Sequence, residues 1–144
     1  MTGVSIHKLT YNDLKEVLEI ENLSFKDPWT KGMFEEEMKN GNFYVAKEEE
    51  KIIGYGGFRM IEDEVSLVNL AIHPLFRRRG IGSFLLLHLI EMAKVKKGEM
   101  MFLEVRRSNI SAISFYHKHN FKETGVRKGY YEDREDAIVM ACKL

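Results

Sequence analysis

The fold-determining stretch of this chain reads Val65-Ser66-Leu67-Val68-Asn69-Leu70-Ala71-Ile72, then His73-Pro74, then Arg77-Arg78-Arg79-Gly80-Ile81-Gly82. Its first eight residues are nearly all apolar, which is typical of a strand covered on both faces. His73-Pro74 ends that strand. Apolar residues then recur at helical spacing, at Leu85, Leu86, Leu89, Ile90 and Ala93. The stretch therefore predicts a buried strand, a basic glycine-containing turn and a long helix.

The basic turn, residues 77–82, is a candidate phosphate site. A helix start exposes unpaired N–H groups with partial positive charge, and glycine lets a phosphate approach the backbone closely. Arginines at the rim add charge-assisted hydrogen bonds, so the turn suits a pyrophosphate. The alternative is a solvated basic turn whose two glycines cap a helix. The turn matches neither the P-loop nor the three-glycine dinucleotide fingerprint.

Outward from this turn, strand and helix periodicities alternate along the whole chain. The pattern predicts an α/β (α+β) fold in the order β-α-α-β-β-β-α-β-α-β-β. The predicted strands cover residues 4–9, 42–47, 52–60, 65–72, 100–105, 121–126 and 137–143. Two strand–helix–strand passages require crossover connections, so some strands should pair in parallel.

Three local patterns predict details of this fold. Asp13 should cap the first helix start with Thr10, and Thr30 should cap the second, with Trp29 stapled onto Phe34. The glycines within residues 54–57 interrupt a strand, which indicates a bulge or close backbone packing.

Length and composition restrict the classes of protein to which this chain can belong. The 144 residues suit one domain over 1–144, with 44% hydrophobic and 31% charged residues. Lys plus Arg and Asp plus Glu both number 22, so no overall charge attracts nucleic acid or membranes. Cys142 is the one cysteine, and no signal-peptide or membrane-spanning pattern occurs. We expect a cytoplasmic monomer or weak dimer with no nucleic-acid or membrane partner.

Arg77-x-x-Gly80-x-Gly82 resembles the acetyl-coenzyme A motif of the GNAT superfamily of N-acetyltransferases, Arg/Gln-x-x-Gly-x-Gly/Ala. Other stretches resemble the branch that acetylates protein N-termini. These are Leu103-Glu104-Val105-Arg106 with Asn109, Ala112 and Phe115-Tyr116; Gly125-Val126-Arg127-Lys128-Gly129-Tyr130-Tyr131; Glu135-Asp136-Ala137; and Phe25-x-x-Pro28-Trp29. Within that branch, the chain is most similar to bacterial ribosomal-protein-alanine (RimI-like) enzymes and then to archaeal N-terminal acetyltransferases.

The resemblance covers nearly the whole chain and implies the GNAT fold, a mixed sheet of about seven strands flanked by about four helices. One position departs from the family pattern. Asn120 stands before Phe121, where the family usually has Gly. Because Asn is the next best residue for a left-handed helix end, we expect no loss of function.

The resemblance also implies the residues that bind acetyl-coenzyme A, the expected cosubstrate. The turn and helix start would hold the diphosphate through Arg77, Arg78, Arg79, Gly80, Ile81, Gly82 and Ser83. Backbone groups of Leu70, Ala71 and Ile72 would hold the acetyl and pantetheine portions. Asn109 would bind the coenzyme from the other side of the cleft, and it can also serve as a helix N-cap.

By the same resemblance, Glu104 is the general base and Tyr116 the general acid toward the departing thiolate. Glu104 is a lone carboxylate at the end of an apolar strand, where burial would strengthen it as a base. Its alternative is a salt bridge to Arg106 or Arg107. The alternative for Tyr116 is an ordinary core aromatic residue with its hydroxyl satisfied.

Trp29, Tyr130 and Tyr131 are the substrate-contact candidates, because the resemblance places them on two loops that border a peptide channel. Trp29 and Tyr131 could instead be anchoring surface aromatics. An α-amine has a pKa near ~8 and a lysine near ~10.4, so one modest base suits a protein N-terminus better. The expected substrate is thus a protein N-terminus, for example that of a ribosomal protein.

Two other functions stay open from the sequence. One is acetylation of lysine or a small amine, and the other is a non-catalytic acyl-coenzyme A-binding regulator. A metal is not expected, since no Cys, Asp or Glu completes a ligand spacing with His117 and His119.

Overall fold

The computed structural model of the chain describes residues 3–144. The domain predicted over 1–144 thus includes two residues, Met1 and Thr2, that lie outside the described range. The strands are β1 Val4–Lys8, β2 Phe43–Glu48, β3 Lys51–Ile61, β4 Glu64–Ile72, β5 Met100–Arg106, β6 Lys122–Arg127 and β7 Ala137–Lys143. The helices are α1 Leu14–Ser24, α2 Lys31–Met38, α3 Ile81–Val95 and α4 Ile110–Lys118. Their order is the predicted one.

The strands form one mixed sheet in the order β1-β2-β3-β4-β5-β7-β6. The central pair β4 and β5 is parallel, and the other neighbouring pairs are antiparallel. Helix α3 connects the parallel pair, which confirms the predicted crossover. The mixed seven-strand sheet with four helices is the architecture that the family resemblance implies.

The β4–β5 pairing is short. It runs only from Glu64 opposite Met100 to Ser66 opposite Phe102, although β4 continues to Ile72 and β5 to Arg106. Beyond these three residue pairs the two strands diverge. The centre of the sheet therefore contains a gap between the carboxyl-terminal halves of β4 and β5.

Each face of the sheet is covered by helices. In β2, Phe43 and Val45 pack into a cluster with α1 and α2, whereas Tyr44 joins the larger cluster beneath α3. Successive strand residues point to opposite faces, so the alternation along β2 separates the two layers. The buried side chains of α3 are Ile81, Leu85, Leu86, Leu89 and Ala93.

The local predictions for this fold are confirmed. Thr30 accepts a hydrogen bond from the Met33 N–H, and the rings of Trp29 and Phe34 lie 5.2 Å apart. The Thr10 N–H donates to the Asp13 carboxylate at 2.8 Å.

The helix end before Phe121 also has the predicted conformation. Asn120 has a φ of 70° in the left-handed region. The residue that replaces the family's usual glycine thus adopts the conformation for which glycine is favoured.

The glycines of β3 show both features predicted for them. The register of β3 against β4 shifts between Gly57 and Phe58. A Cβ on Gly57 would lie 2.2 Å from the Phe43 ring, and one on Gly54 would lie 2.6 Å from Ile72 Cδ1. The glycines thus let neighbouring side chains pack directly onto the strand.

We predict that Gly57→Ala destabilises the fold by about 1–3 kcal/mol, because the buried Phe43 ring must move to admit a methyl group. Urea denaturation measures the change in the free energy of unfolding. Gly125→Ala is the matched control, since a Cβ there would meet no atom within 4 Å. Equal midpoints for the two variants would contradict the prediction.

Candidate active site

The gap between β4 and β5 leads into two cavities that share one wall. Their volumes are about 680 Å³ and 190 Å³. Trp29, Val68, Glu104 and Tyr131 line both, and Tyr130 lines the larger one. The structure therefore brings the predicted base together with all three predicted substrate contacts.

Both carboxylate oxygens of Glu104 have partners. The Tyr130 hydroxyl donates to Oε1 at 3.2 Å, and Arg127 Nε lies 2.5 Å from Oε2. The side chain is 30% exposed, so the expectation of burial was wrong. The alternative partners, Arg106 and Arg107, were also wrong, because Arg127 forms the salt bridge.

Strand register explains why Arg127 reaches Glu104. Glu104 lies opposite Val139 in β7, and Val139 lies opposite Gly125 in β6. Arg127 follows Gly125 by two residues and so points to the same face of the sheet. The ion pair therefore spans from β6 across β7 to β5.

A buried carboxylate, Glu21 of α1, lies behind Trp29. It accepts hydrogen bonds from the backbone N–H of Trp29 and from Asn69 Nδ2, both at 2.8 Å, and from the Tyr55 hydroxyl. Burial, reinforced by the charge of Glu21, raises the pKa of the Tyr55 phenol. Glu21 thus fixes the loop after α1 to the sheet.

Sequence reasoning missed three residues of this cleft: Glu21, Arg106 and Arg127. Glu21 follows Val17 by four residues and lies on the same buried face of α1. Because a carboxylate is seldom buried without partners, its place in this pattern could have indicated a buried hydrogen-bond network. Arg106 and Arg127 belonged to recognised stretches, but their partners lie 23 to 79 residues away and left no local pattern.

The start of α3 presents an open backbone. Gly80 is the N-cap with a φ of 81°, and a Cβ there would meet no atom within 4 Å. Ile81 is buried in the core, so its backbone alone can face a ligand. The hydroxyl of Ser83 is hydrogen-bonded to His119 Nε2 at 2.8 Å.

The three arginines of the turn are not equivalent. Arg77 donates from Nε to the Ile72 carbonyl at 2.9 Å, and Arg79 forms an ion pair with Glu48. These two side chains therefore help to fold the turn. All three arginines are exposed, and Arg78 has a φ of 64°.

The end of β4 offers only part of its backbone to the gap. The His73 N–H donates to Ile53 of β3, and the Ala71 carbonyl points toward Gly54 of the same strand. Backbone groups alternate between the two edges of a strand. Leu70 and Ile72 therefore face the gap, whereas the backbone groups of Ala71 face β3, contrary to the expectation for Ala71.

The remaining predicted residues lie in α4. Tyr116 packs between Phe115 and Phe121, with ring centroids at 5.2 and 5.5 Å, and burial raises the pKa of its phenol. It lies outside the two cavities that Glu104 lines. Asn109 caps α4 by accepting from the Ala112 N–H at 3.2 Å.

The helix start and α4 are neighbours. A Cβ on Gly82 would be 3.5 Å from the Phe115 ring, and Ser83 reaches His119. The phosphate candidates thus lie beside the helix that carries Tyr116.

Within residues 3–144, no three His, Cys, Asp or Glu side chains are grouped as metal ligands. In the same range, every helix is too short or too polar to cross a membrane.

The family model for the Acetyltransferase (GNAT) family matches residues 14–121. The chain belongs to this family and is an acetyltransferase.

Relatives with known names support this assignment. The chain is 37% identical to the ribosomal protein bS18-alanine N-acetyltransferase of Haemophilus influenzae, with 92% of this chain and 93% of the relative covered. It is 33% identical to an N-alpha-acetyltransferase of Sulfolobus acidocaldarius, covering 96% and 92%. The crystal structure of the Escherichia coli ribosomal-protein-S18-alanine N-acetyltransferase matches with a TM-score of 0.89 at 32% identity, covering 97% and 93%.

We predict that Glu21→Gln destabilises the protein by about 1–3 kcal/mol, because an amide nitrogen would face one of three hydrogen-bond donors in a buried site. Chemical denaturation measures the free energy of unfolding. Glu19→Gln, an exposed position of the same helix, is the control. If both variants unfold at the same midpoint, the network contributes nothing to stability.

Proposed function

We propose that this enzyme transfers the acetyl group of acetyl-coenzyme A to the N-terminal α-amine of a protein, in a direct ternary complex. The observation that carries the proposal is the position of Glu104, on a wall shared by two cavities at the gap between β4 and β5. Trp29, Tyr130 and Tyr131 from two separate loops border the same space. A volume of about 680 Å³ is in the range of small-ligand sites and admits the end of a chain.

The residues present fit acetyl-coenzyme A. The backbone N–H groups of residues 80–83 are the natural anion site of α3, and the open space at Gly80 leaves room for a diphosphate. Arg78 can turn toward it, because among the described residues its exposed side chain forms no hydrogen bond, unlike those of Arg77 and Arg79. The backbone groups of Leu70 and the Ile72 N–H offer hydrogen bonds along the edge of β4, whereas the Ile72 carbonyl already accepts from Arg77. Asn109 lies at the start of α4, beyond the end of β5.

The proposed chemistry is nucleophilic attack by a neutral amine on a thioester, which the coenzyme supplies when bound. Glu104 takes a proton from the amine, directly or through a water, as the new carbon–nitrogen bond forms. Tyr116 gives its phenolic proton to the sulfur as the carbon–sulfur bond breaks. Burial raises the pKa of that phenol, so it is protonated at neutral pH and is a weaker acid than a solvated tyrosine.

Two arguments support a protein N-terminus as the acceptor. Deprotonating lysine at pH 7 costs roughly 3 kcal/mol more than deprotonating an α-amine, which favours the α-amine for a single carboxylate base. The named relatives are alanine N-acetyltransferases of ribosomal protein bS18 and an N-alpha-acetyltransferase. A ribosomal protein is therefore the first substrate to test, and a cytoplasmic location belongs to the same proposal.

We predict that purified protein and acetyl-coenzyme A will acetylate short peptides with a free N-terminus, and that fragment mass spectra will place the acetyl group on the α-nitrogen. The matched control is each peptide with its N-terminus blocked and one internal lysine retained. Acetylation of that lysine or of a polyamine would instead support a lysine or small-amine acetyltransferase. Calorimetric binding of the coenzyme without transfer to any amine would support a non-catalytic regulator.

We predict that Glu104→Gln lowers kcat by about 10²–10⁴-fold, because an amide cannot accept the proton of the amine. Steady-state kinetics measure kcat, and calorimetry should find the affinity for the coenzyme nearly unchanged. Arg127→Gln breaks the same ion pair but keeps the carboxylate, so its kcat should fall less. An unchanged kcat in Glu104→Gln would remove this residue from the mechanism.

A further inference from the structure

Arg106, the last residue of β5, is surrounded by carboxylates from two loops. Its Nη2 lies 2.8 Å from Asp27, in the loop of residues 25–30 between α1 and α2. Its Nη1 lies 3.0 Å from Asp133 and 2.9 Å from Glu135, both in the loop of residues 128–136 between β6 and β7. We call Arg106 with these three carboxylates the Arg106 cluster.

Arg106 and Asp27 line the smaller cavity together with Trp29 and Tyr131. The guanidinium carbon of Arg106 is 4.1 Å from the centre of the Tyr131 ring, a distance suited to a cation–π contact. The loop of residues 25–30 carries Trp29, and the loop of residues 128–136 carries Tyr130 and Tyr131. Arg106 therefore connects the aromatic residues on the two sides of the cavity.

Partial burial and further hydrogen bonds restrain the Arg106 cluster. The Arg106 side chain is 19% exposed and that of Glu135 is 24% exposed, so solvent weakens this ion pair less than it weakens a surface pair. Lys26 provides a second link between the loops, 2.8 Å from Asp133. Glu135 also accepts a hydrogen bond from the Ser108 N–H at 2.8 Å.

Arginine is the residue type that this position requires. A guanidinium carries several N–H donors in a fixed planar fork and stacks on aromatic rings, whereas an ammonium is a compact, strongly hydrated point charge. One lysine cannot bind carboxylates on both loops and stack on Tyr131 together. The hydrogen bonds of Lys26 and Arg106 lower the pKa of Asp133, which agrees with a strongly paired group.

We infer that Arg106 is a positioning residue that holds the two loops at the spacing required for peptide binding. The inference rests on the proposed function, because it assigns these loops to the acceptor peptide. Arg106 acts through Tyr131 and the loop of Trp29 and donates no proton in the reaction. Loss of the cluster should therefore weaken peptide binding and leave the transfer step largely intact.

The test compares Arg106→Lys with Arg107→Lys. Arg107 is the adjacent residue, is mostly exposed, and forms a single longer ion pair with Asp136 at 3.8 Å. For Arg106→Lys, we expect KM for the acceptor peptide to rise about tenfold or more, with kcat changed less than about threefold. KM for acetyl-coenzyme A should stay the same. Arg107→Lys should resemble the unaltered enzyme in all three values.

A second variant separates positioning from folding. Asp27→Asn removes the charge that pairs Arg106 with the first loop and leaves Asp133 and Glu135 in place, so it should raise the peptide KM in the same direction by a smaller factor. Thermal denaturation establishes whether each variant is folded. A peptide KM unchanged in both folded variants, or an effect on kcat alone, would overturn the inference.

Hydrogen exchange of the free protein provides a readout that does not depend on activity. In Arg106→Lys, backbone amides of residues 25–30 and 128–136 should exchange faster, while those of α3 stay protected. Failure of the unaltered enzyme to acetylate peptides would refute the proposed function, and the exchange result would still test the loop contact. Unchanged exchange in both loops would refute the Arg106 cluster as a link between them.

Discussion

The short pairing between β4 and β5 is the constraint on which the rest of this molecule depends. Only three residue pairs join the two strands before they diverge, although both strands continue for several residues. A fully paired sheet would have used the backbone groups of Leu70 and the Ile72 N–H in hydrogen bonds between strands. Because it opens, the centre of the sheet offers a free strand edge, a cavity wall and the Glu104 carboxylate in one place.

Charges around this opening are arranged in pairs and small clusters. Arg127 faces Glu104, Arg106 faces three carboxylates, and Glu21 accepts three hydrogen bonds in a buried position. Burying a charge without a partner is costly, so the contacts of Glu21 and of the mostly buried Arg106 hold the loops in defined positions. The balanced composition thus includes several charges that are paired with one another around this opening.

Much of the fold could be predicted because it depends on neighbours in sequence. Hydrophobic periodicity predicted all eleven elements in order, and the glycines of β3 predicted its irregular register. Family resemblance predicted most of the residues that form the site. It did not predict which of these residues contact one another. Arg77 and Arg79 looked like free phosphate ligands, yet their side chains bind Ile72 and Glu48, because the folded turn places those acceptors nearby.

The sequence by itself determined the alternation of strands and helices, the glycine-capped start of α3 and the crossover that makes β4 and β5 parallel. These features follow from side-chain periodicity and backbone conformation, which act over a few residues. Only the tertiary structure decided where the sheet opens, which arginine meets Glu104 and how Arg106 connects two distant loops. Those outcomes depend on strand register and on contacts between residues far apart in the chain, for which a single sequence carries no local signal.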